Sequence, residues 1–343
     1  MGDIKVGMAI ELREAPDAVQ RQAHCLAAPM KELLARLKRK PPQFVVTCAR
    51  GSSAHAATFG KHLIERHLGL SVAAAAPNIA TVYHRQLRMQ DQLFLAVSQS
   101  GRSDDLIEFA AMAHAAGALT VALVNDTESP LAAGSDIVLP MAAGPELSVA
   151  ATKTFVAACT ALLRLVAGWA NDSAMQAAVE RLPDRLAAAT GLDWSAALDV
   201  LSKKNSLVTI GRGPTLAIAR EASLKFKETC DLHAEAFSGA EFLHGPVALV
   251  STLYPILLFM PTDAAAAGLS ELAADLRRKG AAVFVTEPGH GGDGSLAALP
   301  PDHPDTDAVC LVQSFYALAV RLAERRGTDV EQPRHLKKVT RTR

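Results

Sequence analysis

The fold of this chain is decided by the stretch Phe44-Val45-Val46-Thr47-Cys48-Ala49-Arg50-Gly51-Ser52-Ser53. Its first half is a short apolar run, typical of a fully buried strand, and its glycine and serines begin a helix that we expect to end near His67. Similar runs predict strands at residues 71–76, 93–97, 120–124 and 136–139. Because helical segments such as residues 104–116 separate these runs, the sequence predicts an α/β fold, a parallel sheet flanked by helices on both faces.

The same pattern recurs later in the chain. The stretch Ser206-Leu207-Val208-Thr209-Ile210-Gly211-Arg212-Gly213 is another apolar run that ends in a glycine turn, and Arg212 follows Arg50 by 162 residues. The same offset places the apolar run 93–97 on residues 255–259. Agreement of several elements at one offset indicates an internal repeat, so we expect two tandem copies of one nucleotide-binding or flavodoxin-like α/β fold.

These patterns divide the chain into four segments. We expect an N-terminal helical arm over residues 1–40, a first α/β domain over 41–191, a second over 192–328, and a C-terminal tail over 329–343. The tail would ordinarily be interpreted as a frayed basic end. Its Pro333-Arg334 pair favours a fixed conformation instead.

Composition and charge argue against several classes of protein. The 343 residues carry 35 Lys plus Arg and 35 Asp plus Glu, and this zero formal net charge argues against a nucleic-acid or anionic-membrane binder. The most apolar window, residues 249–260, is shorter than the ~18 residues that a membrane span requires. No secretory signal is visible behind Met1, so we expect a cytoplasmic protein that binds neither nucleic acid nor membrane.

The cysteines are odd in number and widely spaced, and no two of them form a Cys-x-x-Cys pair. They are Cys25, Cys48, Cys159, Cys230 and Cys310. Because most of them lie in apolar sequence, we expect buried reduced thiols rather than disulfides, a zinc site or a nucleophile.

Hydroxyl-rich turns follow two of the predicted strands. The stretch Val97-Ser98-Gln99-Ser100-Gly101-Arg102-Ser103 joins a strand to a helix, as does Gly51-Ser52-Ser53, and parallel sheets bind ligands at this edge. Hydroxyls ahead of helix N–H groups suit a phosphate group, although Asp104 and Asp105 could make the longer turn no more than a helix cap. No P-loop is present, and Gly211-Arg212-Gly213 lacks the third glycine of a dinucleotide fingerprint. A sugar phosphate is therefore the favoured ligand.

The predicted helix over residues 214–230 carries Glu221, Lys225 and Glu228 on one face. For an arbitrary helix, the ordinary interpretation is a solvated Glu-Lys pair. The next stretch, residues 233–246, adds further histidines and carboxylates and ends in His244-Gly245-Pro246. A histidine on a Gly-Pro turn is poorly explained as core filling, and its side chain titrates in the range that acid-base chemistry needs.

Together these motifs resemble the isomerase half of glucosamine-6-phosphate synthase, which is built from two sugar-isomerase (SIS) domains. The resemblance covers nearly the whole chain, from about Glu11 to Thr340. It rests on the Ser-Gln-Ser-Gly turn and on residues 149–155, 211–213, 221–228, 233–236, 241–246 and 333–338. It implies two tandem SIS domains and a tail that closes the active site.

The resemblance also implies a set of substrate contacts. The residues that would hold the sugar phosphate are Ser52, Ser53, Ser98, Gln99, Ser100 and Ser103, and those beside the substrate are Gly51, Val149 and Ala150. Two departures affect ligand preference. Arg102-Ser103 stand where the family usually has an acidic residue and a threonine, and Leu243 replaces a lysine.

The catalytic residues implied by the resemblance include the acid-base face. Glu228 would move a proton between C1 and C2 of the sugar, with Glu221 and Lys225 beside it. His244 would assist ring opening from the neighbouring subunit of a homodimer with shared active sites. Lys338 would hold the open-chain carbonyl, with a Schiff base as one option.

The reaction that we expect from this resemblance is an isomerising deamination. About 40 residues precede the first predicted domain and none near the start is a cysteine, so we expect no ammonia from glutamine. Stand-alone proteins of this kind resemble SIS-type glucosamine-6-phosphate deaminases, which form fructose 6-phosphate and ammonia and need no metal or organic cofactor. The alternatives are an aldose-ketose phosphosugar isomerase, a deglycase for another amino-sugar phosphate, and a non-catalytic phosphosugar sensor.

Overall fold

The protein is described by a computed structural model over residues 7–289 and 294–338. These residues form two compact units. The first-sheet unit contains the described residues of Asp17–Glu146, Lys153–Val179 and Lys337–Arg343. The second-sheet unit contains those of Met1–Pro16, Leu147–Thr152 and Glu180–Leu336.

Each unit contains one parallel sheet of five strands. The strands are β1 (Phe44–Ala49), β2 (Ser71–Ala74), β3 (Leu93–Ser98), β4 (Leu119–Val124), β5 (Ile137–Pro140), β6 (Ser206–Gly211), β7 (His233–Ser238), β8 (Pro255–Leu258), β9 (Ala282–Pro288) and β10 (Ser295–Ala298). The spatial order is β2-β1-β3-β4-β5 in one sheet and β7-β6-β8-β9-β10 in the other. The two orders are equivalent strand for strand, which confirms the predicted α/β fold and its internal repeat.

Helices connect the strands. They are α1 (Met8–Glu11), α2 (Ala15–Arg39), α3 (Gly51–Leu68), α4 (Asn78–Thr81), α5 (Asp104–Ala115), α6 (Pro130–Ala133), α7 (Lys153–Ala170), α8 (Ser173–Thr190), α9 (Leu198–Leu201), α10 (Thr215–Cys230), α11 (Gly239–Phe242), α12 (Ala266–Arg278) and α13 (Pro304–Arg326). Short 3₁₀ turns cover Leu12–Glu14, Ser195–Ala197 and Pro246–Leu249.

The core of the first-sheet unit is centred on β3. All six residues of this strand are buried, which explains its continuous apolar sequence. Phe94 on β3 packs against Phe109 on α5 with ring centres 5.6 Å apart, and neither ring is exposed. Burial of one such side chain is worth about 1.5–3 kcal/mol, so this contact fixes α5 against the sheet.

In the second-sheet unit, α10 packs against α13. Phe226 of α10 and Phe315 of α13 meet edge to face, with ring centres 5.0 Å apart. Aromatic pairs of this geometry hold two helices at a defined rotation. The residue after Phe315 is Tyr316, and the same packing directs it toward α10, where it contacts the candidate site.

The compact units divide the chain differently from the predicted segments, and residues 147–152, predicted within the first domain, lie in the second-sheet unit. Most of α2, expected as a separate arm, belongs to the first-sheet unit. Its buried Gln22 donates hydrogen bonds to the carbonyl oxygens of Met141 (3.0 Å) and Ala157 (2.8 Å), which explains the association. Helix α8 is divided between the two units at Val179 and Glu180.

Among the helices of the described residues, two are long and apolar enough to cross a membrane. They are α7 and α13, and the most apolar 18-residue window of each is 78% and 89% buried inside the protein, respectively. Such extensive burial is typical of core helices.

Four of the five cysteines lie in the core, and Cys25 is exposed on α2. Burial raises the pKa of the Cys48 and Cys310 thiols to about 12 and that of Cys230 to about 11. These three thiols therefore stay protonated near neutral pH, which argues against a thiolate nucleophile among them. The expectation of buried thiols is confirmed except at Cys25.

Candidate active site

The two hydroxyl-rich turns lie at one edge of the first sheet. Strands β1 and β3 are parallel neighbours, and Ala49 is paired with Val97 at their carboxyl ends. Helices α3 and α5 begin just beyond these ends, so both turns precede a helix N-terminus. Because the positive ends of two helix dipoles meet hydroxyl groups there, the edge can bind an anion.

The turn after β3 is held by its own hydrogen bonds. The Ser98 hydroxyl accepts from the Gly101 N–H at 3.1 Å, and the Ser100 hydroxyl accepts from the Arg102 N–H at 3.4 Å. Gly101 has a φ of +61°, and a Cβ there would lie 2.1 Å from the Ser129 hydroxyl, so only glycine fits. The turn is thus a fixed arrangement of serines.

A charged pair, which we call the Arg50–Asp105 clamp, links the two turns. The Arg50 Nε and Nη2 atoms lie 2.9 Å and 2.7 Å from the Asp105 Oδ2 atom. Arg50 directly precedes the Gly51 turn, and Asp105 lies in the first turn of α5. The Asp105 side chain is only 3% exposed, so its charge needs this partner. Asp105 therefore does more than cap a helix, and Ser103, at the N-cap position, makes no side-chain cap bond.

Arg102, the noted departure from the family, is also paired. Its Nη2 donates to the Asp126 carboxylate at 2.8 Å, and this hydrogen bond lowers the pKa of Asp126. The backbone N–H of Asp126 in turn donates to the Gln99 carbonyl oxygen at 3.3 Å. Arg102 therefore brings a positive charge to the side of the serine turn.

The predicted acid-base face forms on α10 in the second-sheet unit. The Lys225 ammonium donates a short hydrogen bond to the Glu228 carboxylate and lies 3.5 Å from Glu221 Oε1. The Tyr316 hydroxyl of α13 donates to the same Glu221 oxygen at 3.2 Å. Exposed fractions of the side chains are 0% for Glu221, 1% for Lys225 and 20% for Glu228. The alternative of a solvated Glu-Lys pair is therefore wrong.

This exposure pattern assigns different tasks to the three residues. Glu228 is the member of the row with accessible surface, so it is the group that a ligand can reach. Glu221 and Lys225 are buried, and the Lys225 ammonium, which lies beside both carboxylates, holds the Glu228 side chain in position. Because Glu228 lies near the C-terminal end of α10, where the helix dipole is negative, the Lys225 charge offsets an unfavourable field.

The predicted ring-opening residue, His244, is exposed on the segment after β7. Ser238 caps the short helix α11 there by accepting from the Glu241 N–H at 3.2 Å. The next residue, Gly245, has a φ of +125°, which explains the Gly-Pro turn. Within residues 7–289 and 294–338, no hydrogen bond or ion pair joins the His244 ring to the acid-base face, so its role stays a prediction.

Val149 and Ala150 lie in a segment of the second-sheet unit that is fixed by two carboxylates. Buried Glu11 accepts hydrogen bonds from the Leu147 and Ser148 N–H groups. The Ser148 hydroxyl donates to Glu331 at 2.9 Å, and the Met8 N–H donates to the same carboxylate at 2.7 Å. Glu11 and Glu331 therefore hold the predicted substrate segment in place, a role that the sequence did not reveal.

The C-terminal tail is anchored at several points. In the second-sheet unit, the Thr328 hydroxyl donates to the Thr229 carbonyl oxygen at 2.7 Å, and Arg334 lies 2.5 Å from the Asp231 carboxylate. In the first-sheet unit, the Lys338 ammonium donates to Glu146 at 3.2 Å. Residues 339–343 of the predicted tail, including Thr340, lie outside the described residues, as do residues 1–6 of the predicted arm.

Metal-ligating side chains do not cluster in the described part of the chain. Among its His, Cys, Asp and Glu residues, no group of three or more is placed to hold a metal ion.

Removal of the buried cation should destabilise the second-sheet unit. Lys225→Met leaves the Glu221 and Glu228 carboxylates without their shared ammonium, and we expect a loss of about 3–5 kcal/mol in the free energy of unfolding. The matched control is Lys227→Met, which removes an exposed lysine of the same helix and should cost under about 1 kcal/mol. Urea unfolding followed by Trp194 fluorescence, in a Trp169→Phe background, measures both. Equal losses in the two variants would contradict a buried ion row.

Comparison with known proteins identifies the family. The model of the SIS domain matches residues 17–167 and 200–287. Glutamine–fructose-6-phosphate aminotransferase from Symbiobacterium thermophilum is 34% identical over 316 residues, which cover 86% of this chain and 51% of that protein. The enzyme of the same name from Pseudomonas syringae pv. tomato is 30% identical over 367 residues, which cover 98% of this chain and 59% of that protein. The chain thus spans about half the length of the curated relatives it matches.

Solved structures share the fold. A protein from Silicibacter pomeroyi, provisionally assigned as a phosphosugar isomerase, has a TM-score of 0.89 and 45% identity over 94% of this chain and 99% of that one. The C-terminal domain of glucosamine-fructose-6-phosphate aminotransferase from Francisella tularensis has a TM-score of 0.83 and 25% identity. The match covers 97% of this chain and 100% of that one. Glucosamine-6-phosphate deaminase from Thermotoga maritima has a TM-score of 0.73 and 22% identity, and the match covers 96% of this chain and 100% of that one. This similarity shows the fold alone. The chain therefore belongs to the SIS-domain family, as a tandem pair of SIS domains that resembles the isomerase portion of glutamine–fructose-6-phosphate aminotransferase.

Proposed function

We propose that the protein is an isomerising deaminase that converts glucosamine 6-phosphate and water to fructose 6-phosphate and ammonia. The observation that carries this proposal is the buried row on α10, in which Glu228 has accessible surface and Glu221 and Lys225 do not. Such a row presents one carboxylate with a fixed position to a ligand. That arrangement suits proton transfer next to a carbonyl group better than it suits a structural role.

Binding of the phosphate group is assigned to the first sheet. Ser52, Ser53, Ser98, Gln99, Ser100 and Ser103 would hold the phosphate, assisted by the N-termini of α3 and α5. The names of the similar proteins support a phosphosugar, since they include a glucosamine-6-phosphate deaminase and glutamine–fructose-6-phosphate aminotransferases. The Arg50–Asp105 clamp would keep both serine turns at a constant separation.

The chemistry proposed for Glu228 moves one proton between adjacent carbons. Glu228 takes the proton from C2 of the open-chain aldehyde, and the C2–H electron pair forms the C1–C2 double bond. The C1 carbonyl electron pair moves onto its oxygen, which takes a proton from the neighbouring C2 ammonium of the substrate, and an enolamine results. Glu228 returns the proton to C1, which leaves a ketimine at C2. Water then adds to C2 and ammonia leaves, so that fructose 6-phosphate is formed.

Two further residues are proposed to act before this proton transfer. His244 would assist ring opening from the neighbouring subunit of a homodimer, and Lys338 would hold the open-chain carbonyl. The C-terminal tail would close the active site over the bound sugar.

The proposal is tested by a panel of sugar phosphates. Ammonia release and ketose formation are measured with glucosamine 6-phosphate, other amino-sugar phosphates and neutral aldose phosphates. We expect ammonia and fructose 6-phosphate in equal amounts from glucosamine 6-phosphate. Aldose-ketose conversion of a neutral sugar phosphate without any ammonia would select the plain isomerase instead. Binding without turnover of any sugar would select the sensor.

The serine turn should contribute to affinity through the phosphate group. Ser100→Ala should weaken binding of the sugar phosphate roughly tenfold or more, because a hydrogen bond to a charged group is worth about 1.5–3 kcal/mol. Binding of the unphosphorylated sugar should not change. Ser71→Ala, an exposed serine at the opposite edge of the same sheet, is the matched control for calorimetric titration. An equal loss of affinity for the phosphorylated and the unphosphorylated sugar in Ser100→Ala would contradict the phosphate assignment.

Replacement of the proton carrier should reduce turnover without affecting binding. Glu228→Gln keeps the size of the side chain, so we expect substrate affinity within about threefold of wild type and turnover lower by about 10²–10⁴, the usual contribution of a positioned general base. Glu271→Gln, an exposed glutamate of the same unit, serves as the control and should be fully active. A Glu228→Gln enzyme with wild-type turnover would assign the base to another residue.

A further inference from the structure

The Lys338 side chain contacts the Glu146 carboxylate, which is more deeply buried than the lysine. Its Nζ atom lies 3.2 Å from Glu146 Oε2, in the first-sheet unit. The Glu146 side chain has no exposed surface, whereas 26% of the Lys338 side chain is exposed. The two residues are 192 positions apart in sequence, so the contact is a product of the fold.

Residue Thr154 holds the Glu146 carboxylate in place independently of Lys338. The Glu146 Oε1 atom accepts from the Thr154 N–H at 3.1 Å, and the Glu146 Oε2 atom accepts from the Thr154 hydroxyl at 2.7 Å. Thr154 is the second residue of α7, so the carboxylate lies at a helix N-terminus, where the dipole favours negative charge. A carboxylate fixed by two donors from one residue presents its remaining lone pairs in a defined direction. Glu146 therefore determines where the Lys338 amine can lie.

A buried carboxylate and a partly exposed ammonium form an asymmetric pair. Desolvation of Glu146 is costly unless a cation or several donors compensate it, which ties the lysine to this place. The exposed part of Lys338 leaves the amine reachable from solvent. A ligand can therefore approach the nitrogen from solvent and, once bonded to it, lies next to the Glu146 carboxylate.

We propose that Glu146 is the positioning residue of Lys338: it fixes the amine and takes its proton when the amine adds to an open-chain sugar carbonyl. This inference rests on the proposed function, since it assumes that Lys338 meets a phosphosugar. The ammonium proton passes to Glu146, and the freed nitrogen lone pair forms a bond to the carbonyl carbon. The nitrogen then loses one proton to the former carbonyl oxygen, which gives a carbinolamine. Glu146 returns its proton to that hydroxyl, water leaves, and the protonated imine remains.

The imine can be trapped by reduction, which provides a direct test. Wild-type protein is incubated with fructose 6-phosphate and cyanoborohydride, and the adduct on Lys338 is quantified by mass spectrometry of the digested protein. Glu146→Gln keeps the size of the side chain but cannot take the proton, so we expect trapping at Lys338 to be slower by about tenfold or more. The dissociation constant of fructose 6-phosphate should stay within about threefold. Glu128→Gln, an exposed glutamate of the same unit, should trap at the wild-type rate.

A second pair of variants loosens Glu146 without removing its charge. Thr154→Val keeps the shape of the threonine but removes the hydroxyl donor, and trapping should slow several-fold. Thr154→Ser keeps the donor and should not slow it. This pair remains informative if Glu146→Gln does not fold.

The outcomes separate this inference from the proposed function. Wild-type trapping rates in both Glu146→Gln and Thr154→Val would overturn the role of Glu146 and leave the deaminase proposal intact. Absence of a Lys338 adduct in an active wild-type enzyme would also overturn it. Trapping at Lys338 that depends on Glu146, in a protein that converts none of the sugars tested, would support the inference and reject the proposed reaction.

Discussion

The ammonium of Lys225 lies between two carboxylates of its own helix, and the candidate chemistry depends on this buried cation. Without it, the Glu221 carboxylate, which has no exposed surface, would lose a cation 3.5 Å away, and Glu228 would face the negative end of α10. With it, the helix carries two acidic groups about two turns apart. The Tyr316 hydroxyl supplies a further donor to Glu221, so the packing of α13 on α10 is also part of the electrostatic balance.

The proposed phosphate site depends on topology in the same direct way. Because β1 and β3 are parallel neighbours, the turns that follow them lie at the same edge, and two helix N-termini face the same region. The Arg50–Asp105 clamp adds a fixed link between these turns. Arg102 places an ion pair with Asp126 beside the serine turn, at a position where the family resemblance implies an acidic residue. This difference is the most direct structural reason to expect a ligand preference of its own.

Local signals in the sequence predicted many of the elements, although the apolar run of β9 was not among the predicted strands. Continuous apolar runs revealed β1, β3, β4 and β6, whereas β7 lies at a sheet edge and carries exposed polar residues, so it was interpreted only as a cluster of acid-base groups. Helical periodicity placed Glu221, Lys225 and Glu228 on one face. It could not reveal their partner Tyr316, 95 residues from Glu221, or the Glu146–Lys338 contact across 192 residues. Such pairs depend on packing between elements, which periodicity along one element does not encode.

The central claim is that Glu228 carries a proton between C1 and C2, and an isotope measurement tests it most directly. The enzyme is supplied with glucosamine 6-phosphate in heavy water, and the fructose 6-phosphate formed at early times is examined by NMR. Because 20% of the Glu228 side chain is exposed, a proton held on it can exchange with solvent before it is returned. We expect part of the product to carry a single deuterium on C1, in one stereochemical position. A product with protium alone at C1 would show transfer without exchange and would contradict a solvent-accessible carboxylate as the carrier.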